Sequence, residues 1–586
     1  MKVCTALDKP NITKPTEHPR AMGHKCEFIL NIGMFFDGTG NNWYEDAAGQ
    51  GHSNVARLWR AYKENPMEGF FKHYAPGVGT PFKDIGEEGR SVFGAGFGWG
   101  GEPRIVWGLL QVLNSMHRFL MQSKFEAGLL SSPVMFEDKQ IKALCSNTTV
   151  PSRFADSGPV SLTEAQTILD GLGLRTGLVD NWSTRHAFMS ECAGKLTMLH
   201  NDPKTSIQLT GINLDVFGFS RGAAQARVFC NWLQQGLLVN GKMFGVPAHI
   251  RMLGIFDTVA SVGTGSSGHG DWSSSKNLRI PADSVVKNCV HFVALHELRK
   301  SFPLESVRVN GALPSHCNEH VYPGTHSDVG GGYQPGEQGK ALAVKQETTL
   351  IKADHLKLSQ LTLNDMLAAA LKTVPRYTED SPWLEFENEK SRDYDTARDL
   401  DLPRQFLLPQ YTKQAVADYF AEVGVDPSLS LVPLIQSHSL AYLAWRYRVT
   451  VRRGFDALDS VKRAHEFDSA RVSFYKKGQA LLEEQIRLMR SWSPEKTMGY
   501  HAKAGEIYEA IQSIRSTDAK EHFFDDWVHD SFAGFLQSLG RAHIVVENEC
   551  YLRHRGIYMG EDDRVATLHF DPDELNNASE PKAKYA

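Results

Sequence analysis

A serine flanked by glycines is the first feature of the sequence that indicates chemistry. Residues 218–222 read GFSRG, the G-x-S-x-G spacing that puts a nucleophilic serine on a tight turn between a strand and a helix. Gly218 and Gly222 have no Cβ, so such an elbow can form around Ser220. A serine used in acyl transfer also needs a base, an acid that orients the base, and N–H donors for the oxyanion. The pattern alone fits an ordinary glycine-rich loop equally well, so the rest of the chain must supply these partners.

Candidates for the acid and the base follow Ser220 in the chain order Ser, Asp, His. Asp257 ends the apolar run LGIFD, where the carboxyl edge of a sheet is expected and where catalytic groups collect. It could instead be a turn former or helix cap for the next segment. His326, in the glycine-rich loop PGTHSDVGGGY, is the first candidate for the base, with a structural loop histidine as its alternative. Asp328 is the second candidate acid, and His529 in DDWVHDSFAGF is the second candidate base.

The oxyanion donors are expected from two backbone segments. One is the N–H of Arg221, the residue after the nucleophile. The other is the N–H of Gly38 or Thr39, in the loop that follows the apolar run of FFDGTGNN. Asp37 in this loop would repel an oxyanion, so we expect its carboxylate to accept hydrogen bonds from the N–H groups of its own turn.

Alternating strand and helix patterns must position these residues. Apolar runs predict strands, and periodic segments between them predict helices after Pro103, over 185–200 and over 223–237. The predicted strands are 28–36, 207–217, 250–256, 284–295 and a short one at 319–324. This alternation predicts an α/β fold with a mostly parallel sheet flanked by helices. After about residue 345 helical patterns dominate.

The bulk composition excludes several classes of protein. The chain has 586 residues and a net charge of −5, so no strong positive field points to nucleic acid. It has no apolar run of 18 residues, and its start lacks the apolar core of a signal peptide. We therefore expect a protein made in the cytoplasm that leaves, if it does, without a cleaved signal. Its eight scattered cysteines indicate neither a zinc ribbon nor a disulfide framework.

Two other motif matches lack the context their chemistry needs. Residues 96–101 match G-x-G-x-x-G, but no strand precedes them and the next acidic residue is adjacent, so no dinucleotide is expected. We expect a flexible loop whose aromatic residues could touch lipid or an acyl chain. Residues 316–320 match H-x-x-E-H, but Pro314 precedes them and the segment reads as a loop entering a strand rather than a helix. We therefore expect neither a metal nor a cofactor.

Five motifs together resemble a known family. FFDGTGNN, GVGT, GFSRGAA, GIFDTVASVG and PGTHSDVGGGY occur in this order over residues 27–335. The set is similar to the hydrolase family that includes the first G-x-S-x-G class of type VI secretion lipase effectors. The resemblance implies an α/β-hydrolase-like fold with the catalytic triad Ser220, Asp257 and His326. It also implies an antibacterial phospholipase A-type esterase that cleaves the acyl esters of membrane glycerophospholipids.

The resemblance also implies a delivery route and a domain organisation. Such effectors are made in the bacterial cytoplasm, travel on a spike protein to the periplasm of a target cell, attack its phospholipid membrane surface, and are neutralised in the producer by a cognate immunity protein. We expect a polar tail over 1–26, an α/β-hydrolase-like catalytic domain over 27–345, and a mainly helical module over 346–586 that serves as a lid or docks to a membrane or partner. The alternatives are a non-enzymatic docking or toxin protein on a hydrolase-like fold, and a small-molecule esterase or peptidase.

Overall fold

The structure is a computed structural model, and its regular elements are strands in the first part of the chain and mainly helices in the second. The residues it describes are 26–90, 100–122, 134–146, 162–203, 207–260, 271–345, 349–374, 381–384, 402–490, 500–515, 517–533 and 551–560. Eleven strands lie within these ranges: β1 Cys26–Phe36, β2 Phe70–Ala75, β3 Ile207–Phe219, β4 Lys242–Met243, β5 Val246–Phe256, β6 Cys289–Ala294, β7 Leu304–Glu305, β8 Cys317–Tyr322, β9 Leu342–Lys345, β10 Thr349–Lys352 and β11 Ile557–Tyr558.

Six of these strands form a parallel sheet in the order β2-β1-β3-β5-β6-β8, and β4 pairs antiparallel with β5. The long strands β1, β3 and β5 lie side by side in its centre, and their carboxyl ends meet at one edge. The predicted α/β fold with a mostly parallel sheet is therefore confirmed. Two small pairs lie outside this sheet, the β9–β10 hairpin and the parallel pair of β7 with β11.

Helices surround the sheet. Those in the described part of the chain are α1 Trp43–Asp46, α2 Asn54–Ala61, α3 Gly101–Gln122, α4 Asp138–Leu144, α5 Leu162–Gly171, α6 Trp182–His200, α7 Arg221–Leu237, α8 Ser275–Leu278, α9 His326–Gly330, α10 Ser359–Leu371, α11 Leu402–Gln405, α12 Gln410–Val423, α13 Leu431–Arg448, α14 Asp459–Phe467, α15 Val472–Arg490, α16 Tyr500–Ser513 and α17 Asp518–Asp526. The helices expected after Pro103, over 185–200 and over 223–237 correspond to α3, α6 and α7.

The two faces of the sheet bury different sets of side chains. In β3, Leu214 and Val216 pack into a core shared with α3, α6 and α7, whereas Phe217 and Phe219 pack into a core on the opposite face. This division follows from the strand geometry, since successive side chains of a strand point to opposite faces. The sheet is thus the middle of three layers.

The packing continues across the domain boundary that the sequence analysis places at residue 345. The second face of the sheet is covered by α2 and, from beyond residue 345, by α10. Phe217 of β3 shares this core with Trp445 of α13 and Phe524 of α17. The helices of the second half therefore form a layer of the α/β fold, because without them the apolar face of the sheet would be open to water.

The two motif matches that lack the context for their chemistry, H-x-x-E-H and G-x-G-x-x-G, lie in a strand and mostly outside the described residues, respectively. The H-x-x-E-H segment lies in strand β8 and the residue before it, as the sequence predicts, and not on a helix. The described residues contain no cluster of potential metal ligands. Among them, no helix combines the length and apolar character that a membrane span requires. The predicted tail up to residue 25 and most of the glycine-rich aromatic loop, residues 91–99, lie outside the described residues.

Candidate active site

Ser220 occupies a sharp turn between the central strand and the helix that follows it. Strand β3 ends at Phe219 and α7 begins at Arg221. Ser220 lies between them with φ 58° and ψ −127°, a backbone conformation that non-glycine residues rarely adopt and that clusters at functional sites. Its N–H donates a hydrogen bond to the carbonyl of Phe256 at the end of β5 (3.0 Å). The strained turn is therefore tied to the carboxyl end of the neighbouring strand.

The two glycines of the predicted elbow have no room for a side chain. A Cβ on Gly218 would lie 2.5 Å from the carbonyl oxygen of Gly222. A Cβ on Gly222 would lie 2.3 Å from the carbonyl oxygens of Phe36 and Asp37. Because these neighbours are backbone atoms, they cannot move aside without disturbing the sheet. Both glycines are thus required for the close approach of α7 to the strand ends.

Asp257 and His326, the two candidates for acid and base, contact each other directly. Asp257 follows β5 and His326 is the first residue of α9. Their carboxylate oxygen Oδ2 and ring nitrogen Nδ1 are 2.5 Å apart. Both side chains are almost completely buried. The structure brings together two residues that are separated by 69 positions, each at the carboxyl edge of the sheet.

The other nitrogen of His326 is available for chemistry. Nε2 is buried and has no hydrogen-bond partner among the described residues. The imidazole ring lies 4.6 Å from the ring of Phe219, the residue before Ser220. No hydrogen bond between Ser220 and His326 is formed. Catalytic hydrogen bonds are often long or poorly aligned before substrate binds, so this geometry is compatible with a base that engages the serine later.

Asp257 is held by four donors. It accepts hydrogen bonds from the N–H of Ala294 (2.9 Å), from His326, and from both terminal nitrogens of Arg555 (2.6 and 2.7 Å). Burial alone would raise the pKa of Asp257, but the Arg555 guanidinium and the bond from His326 outweigh burial and hold that pKa well below its usual range. Asp257 is therefore a carboxylate throughout the physiological range. Sequence reasoning missed Arg555, which no motif marks.

Burial sets the protonation state of His326. It lowers the pKa of His326 below 6.5, and the hydrogen bond and negative charge of Asp257 oppose this effect only in part. The imidazole is therefore neutral near pH 7, the form that a general base must have.

Glu297 fixes the backbone on which His326 stands. Its buried carboxylate accepts hydrogen bonds from the N–H of His326 (3.2 Å) and from the hydroxyl of Ser531 (3.0 Å). Burial raises the pKa of Glu297, but the ion pair with Arg299 outweighs burial and brings the pKa to about 2. A permanent charge at Glu297 thus links the histidine loop to the segment around Ser531.

The second-choice residues form a separate pair. Asp328 accepts hydrogen bonds from Nδ1 of His529 (2.6 Å) and from the N–H of His529 (3.0 Å). Asp328 also accepts from the N–H of Thr325, which closes the first turn of α9. Tyr333 stacks on the His529 ring at 3.8 Å. Asp328 and His529 therefore anchor the loop that carries His326, and Nε2 of His529 likewise has no hydrogen-bond partner among the described residues.

In the loop expected to stabilise the oxyanion, one of the two candidate N–H groups, that of Gly38, already donates a hydrogen bond within the loop. The N–H of Gly38 donates to Oδ1 of Asp37 (2.7 Å), and Ser53 and Tyr74 also donate to this carboxylate. Asp37 thus accepts from its own turn, as the sequence predicts, and this bond engages the N–H of Gly38. Thr39 is the remaining candidate, and its buried hydroxyl has no partner among the described residues.

Comparisons with known proteins agree with the fold and with part of the predicted resemblance. Residues 242–369 match the family model of the catalytic domain of Tle1-like phospholipase effectors of the type VI secretion system. No curated protein sequence matches the chain. A crystal structure of an uncharacterised protein from Pseudomonas aeruginosa is similar, with a TM-score of 0.67 and 23% identity over 92% of this chain and 80% of that one.

A second solved structure, that of the Tle1 effector bound to the VgrG spike of the type VI secretion system, matches at 21% identity over 53% of this chain and 52% of that one. Its TM-score of 0.24 is too low to indicate a shared arrangement. The matched segment of the family model contains both Asp257 and His326 and supports a role as a phospholipase effector. Residues 242–369 therefore carry the signature of a Tle1-like type VI phospholipase effector domain, which confirms the resemblance predicted from the motifs.

Proposed function

We propose that the chain is a serine esterase that hydrolyses the acyl esters of membrane glycerophospholipids, a phospholipase A activity, through Ser220, His326 and Asp257. The observation that carries the proposal is the buried Asp257–His326 pair, in which the imidazole ring lies 4.6 Å from the ring of Phe219, the residue before the strained turn at Ser220, and Nε2 has no hydrogen-bond partner among the described residues. The match to a phospholipase effector domain supports lipid as the substrate class.

The proposed reaction proceeds in two acyl transfers. The Ser220 hydroxyl oxygen attacks the ester carbonyl while Nε2 of His326 takes its proton, and the N–H groups of Arg221 and Thr39 stabilise the oxyanion. The protonated His326 then gives this proton to the departing lysophospholipid oxygen, which leaves Ser220 acylated. Water attacks the acyl-enzyme with His326 again as base, and a free fatty acid is released. Asp257 keeps the imidazole in orientation and stabilises its charged form.

The same resemblance supports a route and partners for the protein. We infer that it is exported by the type VI system, that a spike protein carries it, that it acts on the membrane of a target cell from the periplasm, and that a cognate immunity protein protects the producer. The solved Tle1 effector is bound to a VgrG spike, which is the kind of partner we propose.

The decisive experiment uses one defined diacyl phospholipid in vesicles and mass spectrometry of its products. The phospholipid carries two acyl chains of different mass. The wild type is expected to release fatty acid and lysophospholipid, and the mass of the acid then identifies the ester bond that is cut. Ser220→Ala is expected to abolish release. The matched control is Ser439→Ala, because Ser439 is similarly buried but its hydroxyl donates only to backbone carbonyls, those of Ile435 and Leu295. Unchanged fatty acid release by Ser220→Ala would overturn the proposal.

The same assay separates the two candidate histidines. His326→Asn is expected to lower kcat by at least about a hundredfold, the usual contribution of general base catalysis. His529→Phe keeps the ring that stacks on Tyr333 but removes the bond to Asp328, so it is expected to lower stability more than turnover of the folded enzyme. The opposite ranking would assign the base to His529.

The alternatives predict other results. A non-enzymatic toxin would keep its toxicity in the periplasm after Ser220→Ala. A small-molecule esterase would hydrolyse soluble short-chain esters but leave the vesicles intact, and a peptidase would release an amine from peptides.

A further inference from the structure

We propose that Arg555 is a positioning residue of the Asp257–His326 pair, which makes the segment 551–560 part of the catalytic unit. The inference rests on the proposed function, since it assigns Arg555 a role in the same acyl transfer. It adds a fourth member to the proposed triad of Ser220, Asp257 and His326, and this member lies 298 positions beyond Asp257.

Arg555 and Asp257 form an ion pair with two hydrogen bonds, and neither side chain is exposed to solvent. Each terminal nitrogen of the guanidinium donates to a different carboxylate oxygen, at 2.6 and 2.7 Å. Oδ2 of Asp257 therefore accepts hydrogen bonds from both Arg555 and His326. These two bonds fix the plane of the carboxylate relative to the imidazole. This fork geometry is available to arginine and not to lysine.

The third nitrogen of Arg555 also supports the histidine. Nε donates to the carbonyl of Phe302 (2.6 Å), and the Phe302 ring lies edge-on to the ring of His326 at 4.9 Å. Arg555 thus contacts Asp257 directly, and it contacts His326 indirectly, through Phe302. A side chain that served only to attach the C-terminal segment would not need both contacts.

The backbone around Arg555 is docked by a short parallel ladder. Strand β11 pairs with β7, and the N–H of Leu304 donates to the carbonyl of Gly556. Arg279 donates to the carbonyl of Gly560 at the other end of the segment (3.2 Å). Arg279 therefore holds the same segment without touching Asp257, and it provides a matched control.

The positive charge of Arg555 has a defined effect on the base. A carboxylate that is neutralised by a guanidinium stabilises a neighbouring imidazolium less than a bare carboxylate does. Arg555 is thus expected to keep His326 neutral at lower pH. The charged and titratable groups around His326 are Asp257 with Arg555, Glu297 with Arg299, and Asp328 with His529.

The test measures the rate at which a fluorophosphonate probe labels Ser220 in the full-length protein, as a function of pH. Arg555→Gln is expected to lower the maximal labelling rate by about tenfold or more, since the carboxylate plane is released. It is also expected to move the acidic limb of the profile to higher pH by about one unit, since the cation beside Asp257 is gone. Arg279→Gln is expected to leave the acidic limb where it is in the wild type.

Each outcome has a definite meaning. An acidic limb that coincides in Arg555→Gln and the wild type would overturn the proposal, because a purely structural arginine would change only the amount of folded protein. If Arg555→Gln does not fold, Arg555→Lys decides: it is expected to keep the limb near its wild-type position but to label more slowly, and full wild-type labelling would overturn the proposal. Failure of the probe to label Ser220 in the wild type would refute the proposed function instead.

Discussion

Two fully buried carboxylates, Asp37 and Asp257, have pKa values that their surroundings push in opposite directions. Asp257 meets a guanidinium and an imidazole, which hold its pKa well below the usual range. Asp37 meets only the neutral donors Ser53, Tyr74 and the N–H of Gly38, which do not offset burial, and its pKa is raised to about 6. Carboxylates whose pKa values are pushed apart in this way are typical of functional sites.

The raised pKa of Asp37 predicts a pH-dependent cost in stability. Because its folded pKa of about 6 exceeds the ordinary 3.8, the wild type loses stability as pH rises between these values, by about 3 kcal/mol in total. Asp37→Asn removes the charge, and its amide can still accept from Gly38 and donate to Tyr74. We therefore expect the variant to gain stability relative to the wild type as pH rises from 4 to 7.

Melting temperatures of Asp37→Asn and the wild type across that range check this prediction. The exposed Asp283→Asn provides a control that should show no such gain. A difference between Asp37→Asn and the wild type that stays constant with pH would show that Asp37 is ionised in the folded protein at every pH tested.

Residues of the site could be predicted from the sequence only where the neighbouring residues form a recognisable pattern, such as an apolar strand that ends just before them. Ser220 and Asp257 follow apolar strands, and parallel strands bring their carboxyl ends to one edge, so both could be located. Arg555 could not, because an arginine near a two-residue strand carries no local signal and its partner lies 298 positions away. The choice of Thr39 over Gly38 likewise depends on a hydrogen bond that only the folded turn reveals.

At the scale of elements, the elbow depends on the contact between the start of α7 and the end of β1. The Cβ of an alanine at position 222 would collide with two backbone carbonyls of β1 and the residue after it. We expect Gly222→Ala to cost about 3 kcal/mol, the upper end of the usual cost of overpacking, and to suppress probe labelling of Ser220, because the strand and helix must separate. Thermal denaturation with parallel labelling measures both effects.

Gly236, near the other end of α7, is the matched control for this substitution. A Cβ there would meet the side chain of Met189 at 3.4 Å, an ordinary contact. Gly236→Ala is therefore expected to be neutral or to stabilise the protein by up to about 1 kcal/mol, since alanine favours helix more than glycine does. Equal loss of stability in both variants would show that the elbow has no special need for glycine.

Strands and helices could be predicted where their apolar residues follow a clear pattern along the sequence. The predominantly apolar segments of β3 and β5 indicate buried strands, and the structure contains both. The helix α13 escaped notice in LVPLIQSHSLAYLAWRYR, because it is buried on several sides and so lacks the single apolar stripe that marks a surface helix. Contacts with residues far away in the sequence determine the secondary structure of such segments, and the local pattern of residues does not show these contacts.

At the scale of the whole molecule, the shared core on the second face of the sheet predicts one cooperative unit. Trp445 of α13 packs against Phe524 and Tyr442, in the same core as Phe217 of the central strand. We expect a single calorimetric transition for the full chain. Trp445→Ala should lower the midpoint of this entire transition, through a loss of about 3 to 5 kcal/mol.

Leu488→Ala is the control for the calorimetry, because Leu488 is 41% exposed and its truncation should leave the midpoint nearly unchanged. Two separate transitions, with Trp445→Ala moving only one of them, would show instead that the helices after residue 345 fold as an independent module.

The distance along the chain between Asp257 and Arg555 also has a consequence during protein synthesis. The ribosome exposes Ser220, Asp257 and His326 long before residue 555 leaves the exit tunnel, 298 residues after Asp257. Until then Asp257 lacks its guanidinium partner. A growing chain therefore holds Ser220, Asp257 and His326 in an unfinished site, and under the proposed function the producing cell meets a competent esterase only after residue 555 has been synthesised.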